Sequence, residues 1–409
     1  MTEMLERAVT GLGTSGDGIV ETATGPVFVP GALPGEMVAF RDGRPYAVPS
    51  PSPAIRRLQM LCPHVGRCGG CALQHMPDQV YRDWKQGLLG VALRGLGDDV
   101  DIAPMLQAPL ASRRRAVLGV RREGDLIELG FHGARSHDIE SIVDCAVLTK
   151  PIVAGLPGLK AMALHLLTRR TEARISVIDT PHGLDVDFAG PRKDLSIDAH
   201  AALVGIASDN RIARLTLDSV PMLTRTTPAL KIGGVEVVPP PGAFIQAAAE
   251  AETVMVKIAC DAVGKAKRVA DLFSGLGTFT FGLARRAKIL AVDSDRALIT
   301  ALGDAARKAQ GLKPIEARVR DLFHDPMSAR ELDDFDAAVF DPPRAGAKAQ
   351  AEALAKSKVK TIVAVSCNPV TLARDIQILL DGGYKLGRVT PIDQFLFTAH
   401  IEAVAVLRR

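Results

Sequence analysis

From about residue 236 onward the chain repeats one pattern. A short apolar run ends on a polar residue, and a longer helical stretch follows. The runs are RVADLFSG, KILAVDSD, FDAAVFDPPRAG and KTIVAVSCNP. Strand–helix alternation of this kind builds an α/β structure, a doubly wound, Rossmann-like parallel sheet. Such sheets bind ligands in the crevice outside the carboxyl ends of their strands. Asp271, Asp293, Asp341 and Cys367 all stand at such ends.

Two other regions precede this one. A length of 409 residues exceeds what one core supports and predicts two or three domains. Residues 1–50 are turn-rich, with brief strand-like runs such as GPVFVP and EMVAF between Gly and Pro, a pattern that suggests a small β-barrel. VPSPSPAIRR then reads as a linker. Residues 51–235 mix strand-like pieces (RAVLGVRR, DLIELGFHG, ARISVIDT, GLDVDFAG) with helical stretches such as GLKAMALHLLTRR, an α+β central domain. Residues 236–409 form the third domain.

Composition narrows the function classes. Lys plus Arg is 50 and Asp plus Glu is 46, a net charge of +4 that permits a nucleic-acid partner without requiring one. Arg113, Arg114, Arg115, Arg121 and Arg122 crowd into SRRRAVLGVRR, either as an exposed basic edge strand or as a phosphate-contacting one. No uncharged apolar run reaches membrane-spanning length and the N-terminus carries no apolar signal core, so the expectation is a cytoplasmic protein without a membrane partner. No protein partner is evident. The six cysteines of a cytoplasmic chain are then expected in metal binding, catalysis or packing rather than in structural disulfides. Cys260, inside the helical pattern AETVMVKIACDAV, reads as packing.

In DLFSGLGTF, Gly275 and Gly277 make a turn between strand and helix where backbone can approach a ligand closely. Thr280 stands where a third glycine would complete the dinucleotide fingerprint. Asp293 closes the next strand, where an acidic side chain takes ribose hydroxyls. A nucleotide-like cofactor follows, with NAD and S-adenosylmethionine both open. Asp341 precedes Pro342 and Pro343, which hold the backbone out of helix and can aim the carboxylate into the crevice.

Cys367 closes the following strand, directly ahead of a helix that Pro369 opens. Inert burial is one reading. The other is a nucleophile whose thiol pKa the positive helix end lowers. A thiolate beside a methyl donor suggests pyrimidine C5 chemistry: addition to C6 makes C5 nucleophilic, C5 takes the methyl, its proton leaves and the thiolate is expelled. A base is required. In FTAHIEAVAVL strand alternation sets His400 and Glu402 on one face, with Glu402 favoured as the base.

LCPHVGRCGGCALQH carries Cys62, Cys68 and Cys71, and Cys145 can complete four thiolates. The spacing matches neither the bacterial ferredoxin run nor the paired zinc-ribbon arrangement, which leaves iron–sulfur and zinc both open.

Together these elements resemble the RNA 5-methyluridine methyltransferases, and within them the 23S ribosomal RNA (uracil-5-)-methyltransferases. PGAFIQ, DLFSGLGTF, RDLF, DPPRAG, SCNPVTLARD and HIEAVAVL stand in that family's order, over most of the chain. The resemblance implies a [4Fe-4S] cluster on Cys62, Cys68, Cys71 and Cys145. It implies S-adenosyl-L-methionine held by Gln246, Phe273, Gly275, Gly277, Thr278, Asp293, Asp321 and Asp341. Catalysis would fall to Cys367 as nucleophile, Glu402 as base and Asp341 beside them. The N-terminal barrel looks like a short TRAM domain. Thr278 and Ala248 stand where the family often has Asn, which touches cofactor contacts but not Asp341, Cys367 or Glu402. The expected activity is methylation of one uridine in structured RNA, ribosomal RNA first. The rivals are a transfer RNA uridine methyltransferase and a non-catalytic RNA-binding assembly factor. An NAD-dependent oxidoreductase leaves the Cys367 context and the DPPR loop without explanation.

Overall fold

The computed structural model of the protein describes residues 5–41, 44–47, 56–57, 59–97, 99–134, 136–191 and 194–409. Residues 48–55, most of the expected linker, lie outside them. Described residues below 48 form two three-stranded antiparallel sheets. Both pack on one small core of Val9, Val20, Val29, Ala32, Val38 and Phe40. The strands make two separate sheets there, not a single hydrogen-bonded ring.

The central part is a seven-stranded sheet built mainly from long hairpins, such as Arg115–Glu123 with Leu126–His132 and Thr171–Thr180 with Gly183–Ala189. The helices Lys150–Leu166 and Ile197–Asp209 contribute Leu156, Leu159, Met162 and Leu203 to a core shared with Leu118, Val177, Val186 and Leu215. Each strand-like piece read from the sequence in this region is a strand here.

The C-terminal sheet holds the apolar runs of RVADLFSG, KILAVDSD, FDAAVFDPPRAG and KTIVAVSCNP. Its strands are β1 (Arg268–Leu272), β2 (Lys288–Asp293), β3 (Ile315–Val319), β4 (Ala337–Phe340), β5 (Thr361–Ser366), β6 (Lys385–Asp393) and β7 (Glu402–Arg408). They lie in the order β3-β2-β1-β4-β5-β7-β6, and Leu106–Gln107 adds an eighth strand beyond β6. β1 to β5 are parallel to one another, whereas β7 runs antiparallel to both neighbours. Helices cover both faces, so strands such as β4 are buried throughout and read as unbroken apolar runs rather than alternating ones.

The cores cross the boundaries expected from the sequence. The hairpin Leu230–Ile232/Val235–Val237 packs into the core of the C-terminal sheet. So does the helix Asp78–Leu93, through Leu89 and Leu93. On its buried side Lys85, fully shielded from solvent, reaches Asp393 Oδ1 at 2.5 Å, the Tyr81 hydroxyl at 2.8 Å and the Phe395 carbonyl at 2.8 Å. Tyr81 donates to Asp393 Oδ2 at 2.8 Å and accepts from the Phe397 N–H at 2.8 Å. Burying two leucines contributes about 3–6 kcal/mol. Desolvating a buried ion pair costs several kcal/mol. The helix is therefore held only while the pair stays matched. Lys85→Met should lower stability by about 3–5 kcal/mol, because it leaves Asp393 buried and uncompensated. Adding Asp393→Leu should recover a large part of the loss. Urea unfolding midpoints check both, and a Lys85→Met chain as stable as the parent would contradict the assignment.

Candidate active site

The strand ends bring the expected residues together by register. Ser366 on β5 pairs with Ala403 on β7, so the next residues along, Cys367 and Glu402, come to lie opposite one another. Leu272 on β1 pairs with Phe340 on β4, which seats Asp341 beside Phe273. Because β7 is reversed, its first residue rather than its last reaches the carboxyl edge. Cys367, Glu402, Asp341, Gln246, Phe273, Gly275, Thr278 and Asp293 all line one cavity of about 1000 Å³. Gly277 and Asp321 do not line it. Gly277 shapes the turn, and a Cβ on it would meet Phe281 at 2.7 Å. Asp321 accepts the Phe323 N–H at 2.9 Å.

The glycine turn is built for close approach. Gly275 has φ +53°, and the space where its Cβ would stand is open. Its N–H donates to Asp293 Oδ2 at 2.9 Å, which ties the turn to the end of β2. Phe273 holds φ +59°, a conformation costly for a bulky residue that the fold enforces beside the cavity. Its ring lies 5.4 Å from that of Phe323, an aromatic edge of the cavity that the sequence reading did not single out. Behind the turn Asp271 is buried with its carboxyl pushed up to about 7, by burial first, against the hydrogen bond from Thr280.

Four polar side chains form a chain across the cavity floor. Gln246 Nε2 donates to Asp341 Oδ2 at 2.9 Å. Gln394 Nε2 donates to Gln246 Oε1 at 2.8 Å and to Glu402 Oε2 at 2.9 Å. The Ala247 N–H donates to Gln394 Oε1 at 3.0 Å. Gln394 lies in the loop after β6, where a glutamine in one sequence looks like any solvated loop residue. Burial raises the Glu402 carboxyl well above the carboxylate range, and the Asp341 charge adds to it. Asp341 is raised too, by burial against the hydrogen bond from Gln246.

The Cys367 thiol is half-buried and pushed up to about 11, by burial first and then by the charges of Glu402 and Asp341; Arg344 opposes them. The expected lowering by the helix end is thus outweighed by two carboxylates and a dry setting. The remaining residues of SCNPVTLARD act as a brace. Asn368 caps the helix Pro369–Asp381 and also donates to the Arg344 carbonyl at 3.1 Å. Arg374 reaches the Ala345 carbonyl at 3.0 Å, and Asp375 accepts the Ala347 N–H at 2.6 Å. A Cβ on Gly346 (φ +76°) would stand 2.4 Å from Arg374, so only glycine fits under the brace.

His400 departs from the sequence expectation. β7 begins at Glu402, so strand alternation does not place His400; it sits in the preceding loop, with Arg344 Nη2 2.6 Å from its ring nitrogens. Burial first, and then the positive charges of Arg344, Lys85 and Arg113, lower its pKa. The arginine cluster also divides. Arg114 is buried against Glu252 (2.6 Å) and the Gln246 carbonyl (3.1 Å), and Arg115 holds the Ala243 carbonyl at 2.9 Å. Arg121 pairs with Glu128, and Arg122 binds the Leu167 carbonyl at 2.8 Å. Only Arg113 and Arg115 of the five line the cavity.

Cys62, Cys68, Cys71 and Cys145 stand as free, half-buried thiols on another wall of the same cavity. Burial pushes the Cys71 thiol up to about 12, and Cys145, Cys68 and Cys62 add their charges. Arg113 faces Cys71 and Cys145. Among the described residues no three His, Cys, Asp or Glu side chains are grouped as a single metal ion requires. Cys260 packs against the core of the C-terminal sheet, as its helical pattern suggested.

A family profile for tRNA (uracil-5-)-methyltransferases matches residues 317–409, the segment that carries Asp341, Cys367 and Glu402. An RNA methyltransferase of Rhizobium meliloti (strain 1021) is 44% identical over 413 residues, covering 97% of this chain and 98% of the relative. The 23S rRNA (uracil(1939)-C(5))-methyltransferase of Aeromonas hydrophila is 32% identical over 408 residues, covering 94% of this chain and 91% of the relative. The crystal structure of Pyrococcus abyssi tRNA (uracil-54, C5)-methyltransferase in complex with S-adenosyl-L-homocysteine superposes with a TM-score of 0.75 at 21% identity, over 98% of this chain and 100% of that one. At that identity the likeness is one of fold.

The electrostatics of Cys367 can be read directly. Its alkylation by iodoacetamide, followed by mass spectrometry of the Cys367 peptide, should be slow at pH 8 and rise steeply toward pH 11. Glu402→Gln removes a charge that pushes the thiol up and should speed alkylation severalfold at pH 8; Arg344→Ala should slow it. Equal rates in all three proteins would contradict the electrostatic account.

Proposed function

The chain belongs to the RNA (uracil-5-)-methyltransferase family and carries the α/β fold of S-adenosylmethionine-dependent methyltransferases, and from that premise we propose that it methylates C5 of one uridine in 23S ribosomal RNA. The observation that carries this reading is the pairing of a thiol and a carboxylate across β5 and β7, with Asp341 beside them at the mouth of a glycine turn. S-adenosylmethionine supplies an electrophilic methyl group on a sulfonium. Gly275, Asp293, Phe273, Gln246, Thr278 and Asp341 line the cavity and would hold it there. Gly277 and Asp321 serve that site by shaping its loops.

Cys367 gives up its proton to solvent and Sγ bonds to C6 of the uracil ring. The C5=C6 electron pair then lies toward C5 and O4, and C5 takes the methyl as the methyl–sulfonium bond breaks and its electron pair leaves with S-adenosylhomocysteine. Glu402 removes the C5 proton. The returning pair rebuilds C5=C6 and breaks the Sγ–C6 bond, which frees Cys367. A general base must be ionised to act, and burial holds Glu402 high, so turnover should climb as pH rises through the neutral range. The target base leaves its stack to enter the cavity. In this reading residues 1–50 and the central sheet of 51–235 hold structured RNA by backbone and shape, and 236–409 carry the chemistry.

The four thiols fit a [4Fe-4S] centre by donor chemistry. Four soft sulfur donors that line one cavity and act on one another's charge suit such a cluster, with zinc as the alternative occupant. Its role is structural, since the methyl transfer moves no net electrons through the protein. Anaerobically purified protein should contain about four iron and four acid-labile sulfide per chain. One zinc without sulfide would replace the cluster with a zinc site.

Purified protein with S-adenosylmethionine should form 5-methyluridine in 23S ribosomal RNA transcripts and leave transfer RNA unmodified; the reverse outcome would move the substrate to transfer RNA. Cys367→Ala should keep binding of S-adenosylhomocysteine while losing both methylation and any covalent RNA adduct. Turnover by Cys367→Ala would remove the thiol from the mechanism.

A further inference from the structure

Gln394 lies between the two carboxylates of the site, and we propose that it is a positioning residue that holds Glu402 through Oε2 and leaves Oε1 as the atom that takes the proton from C5. This rests on the reading of Glu402 as the base and goes beyond it. Neither the motifs nor the profile of sequence signals pointed to Gln394, and its neighbours fix what it does.

The polarity of the chain follows from one backbone group. The Ala247 N–H can only donate, and it donates to the Gln394 side chain at 3.0 Å. The atom that receives it is therefore the amide oxygen, and the nitrogen must face the other way. That nitrogen reaches Gln246 Oε1 at 2.8 Å and Glu402 Oε2 at 2.9 Å. Gln246 in turn accepts on its oxygen, so its nitrogen donates to Asp341 Oδ2 at 2.9 Å. A single N–H thus orients both amides, and both carboxylates are addressed as acceptors.

Glu402 is left asymmetric. Oε2 is engaged, whereas Oε1 is buried and has no hydrogen-bond partner. An orphaned buried carboxylate oxygen carries a desolvation cost with nothing to offset it in a purely structural role. A proton-accepting oxygen must be left free in this way, and Glu402 and Cys367 line the same cavity. Gln394 is itself well placed to hold its partner still. It is buried, and Asp393 beside it is fixed by Lys85, Tyr81 and Gln107 at 2.5, 2.8 and 3.2 Å. The anchor therefore reaches from the helix Asp78–Leu93 to the base through two adjacent residues, the last of β6 and the first of the loop after it.

The charged group that acts on Glu402 is Asp341, which also acts on Asp271 and, with Glu402, on Cys367. The donor from Gln394 is what holds the Glu402 carboxyl down against burial and Asp341. Losing that donor moves the ionised base to higher pH.

The test uses the full-length protein with a 23S ribosomal RNA fragment. Gln394→Met keeps length and bulk and removes the donor. Because it also frees Gln246, it should lose part of the affinity for S-adenosylhomocysteine by calorimetry, and it should keep the KM for RNA. Its kcat should fall about 100-fold, the scale of a small misplacement of a reacting group. The Cys367–RNA adduct should build up on denaturing gels, because adduct release needs the base. The acidic limb of the kcat–pH profile should move to higher pH, and Gln394→Glu, which adds a carboxyl beside Glu402, should move it further. Parental kcat and an unmoved limb in Gln394→Met would overturn the inference. Should that variant fail to bind S-adenosylhomocysteine, Gln394→Glu decides, and an unmoved limb there overturns it equally. Glu402→Gln run alongside separates the two claims. If Glu402→Gln turns over normally, the base assignment itself falls. If it stalls as adduct while Gln394→Met turns over normally, only the role of Gln394 falls.

Discussion

The antiparallel placement of β7 between β5 and β6 is the constraint on which the site depends. In a wholly parallel sheet every strand delivers its last residue to the ligand edge. The reversed strand delivers its first, so the chain can enter that edge through a loop and present Glu402 before the strand hydrogen bonds begin. The pairing of Ser366 with Ala403 then fixes the separation of thiol and carboxylate to the spacing of one strand pair. A shift of one residue in that register would turn Glu402 to the opposite face. Val404, Val406 and their neighbours, all buried, resist such a shift because it would exchange the cores on the two sides of the sheet.

Close packing of acids is the second consequence. Asp271, Asp341, Glu402 and Cys367 occupy neighbouring strand ends; Asp341 raises the proton affinity of the other three, and Glu402 adds to that of Cys367. Desolvation is the largest contribution for all four, which marks a crevice that excludes water rather than an exposed acidic patch. In such a setting a thiol gains nothing from a helix end alone. Burial first, and then the charges of Glu402 and Asp341, push Cys367 up, which is why the expected thiolate is instead a thiol in the resting protein. The dipole still has a use: Asn368, not Cys367, occupies the cap and satisfies the Val370 N–H.

What the sequence made legible follows from periodicity and from strand ends. RVADL, KILAVD, AAVF and TIVAVS are strands because buried parallel strands must be apolar throughout, and that pattern survives in a single sequence. Asp341, Cys367 and Glu402 were legible for the same reason, since each follows or opens such a run. Gln394 was not, because its meaning comes from Ala247 and Gln246, some 150 residues upstream in the chain. His400 was assigned to a strand from alternation, but it lies in the loop between Asp393, the end of β6, and Glu402, where β7 begins. The arginine cluster carried charge without saying where it pointed. Arg114 and Arg115 turn inward onto the carbonyls of the segment that bears Gln246, a contact no local pattern encodes.

The same inward contacts explain why a boundary near residue 236 is crossed by so many bonds. Arg214 of the central sheet binds Asp185 twice, at 2.7 and 2.6 Å, and also holds the Pro239 carbonyl at 2.7 Å. Arg114 and Arg115 take the next carbonyls along the PPPGAFIQ segment. Lys85 enters from the other side onto Asp393. Loops that carry reacting groups tend to be mobile unless something outside the sheet fixes them. Here the segment with Gln246 is clamped by the central sheet, and the loop with Gln394 by the helix Asp78–Leu93. The two glutamines meet only because both clamps close. The crevice is thus assembled from three parts of the chain, and the order of its hydrogen bonds depends on residues that never touch the reacting ring.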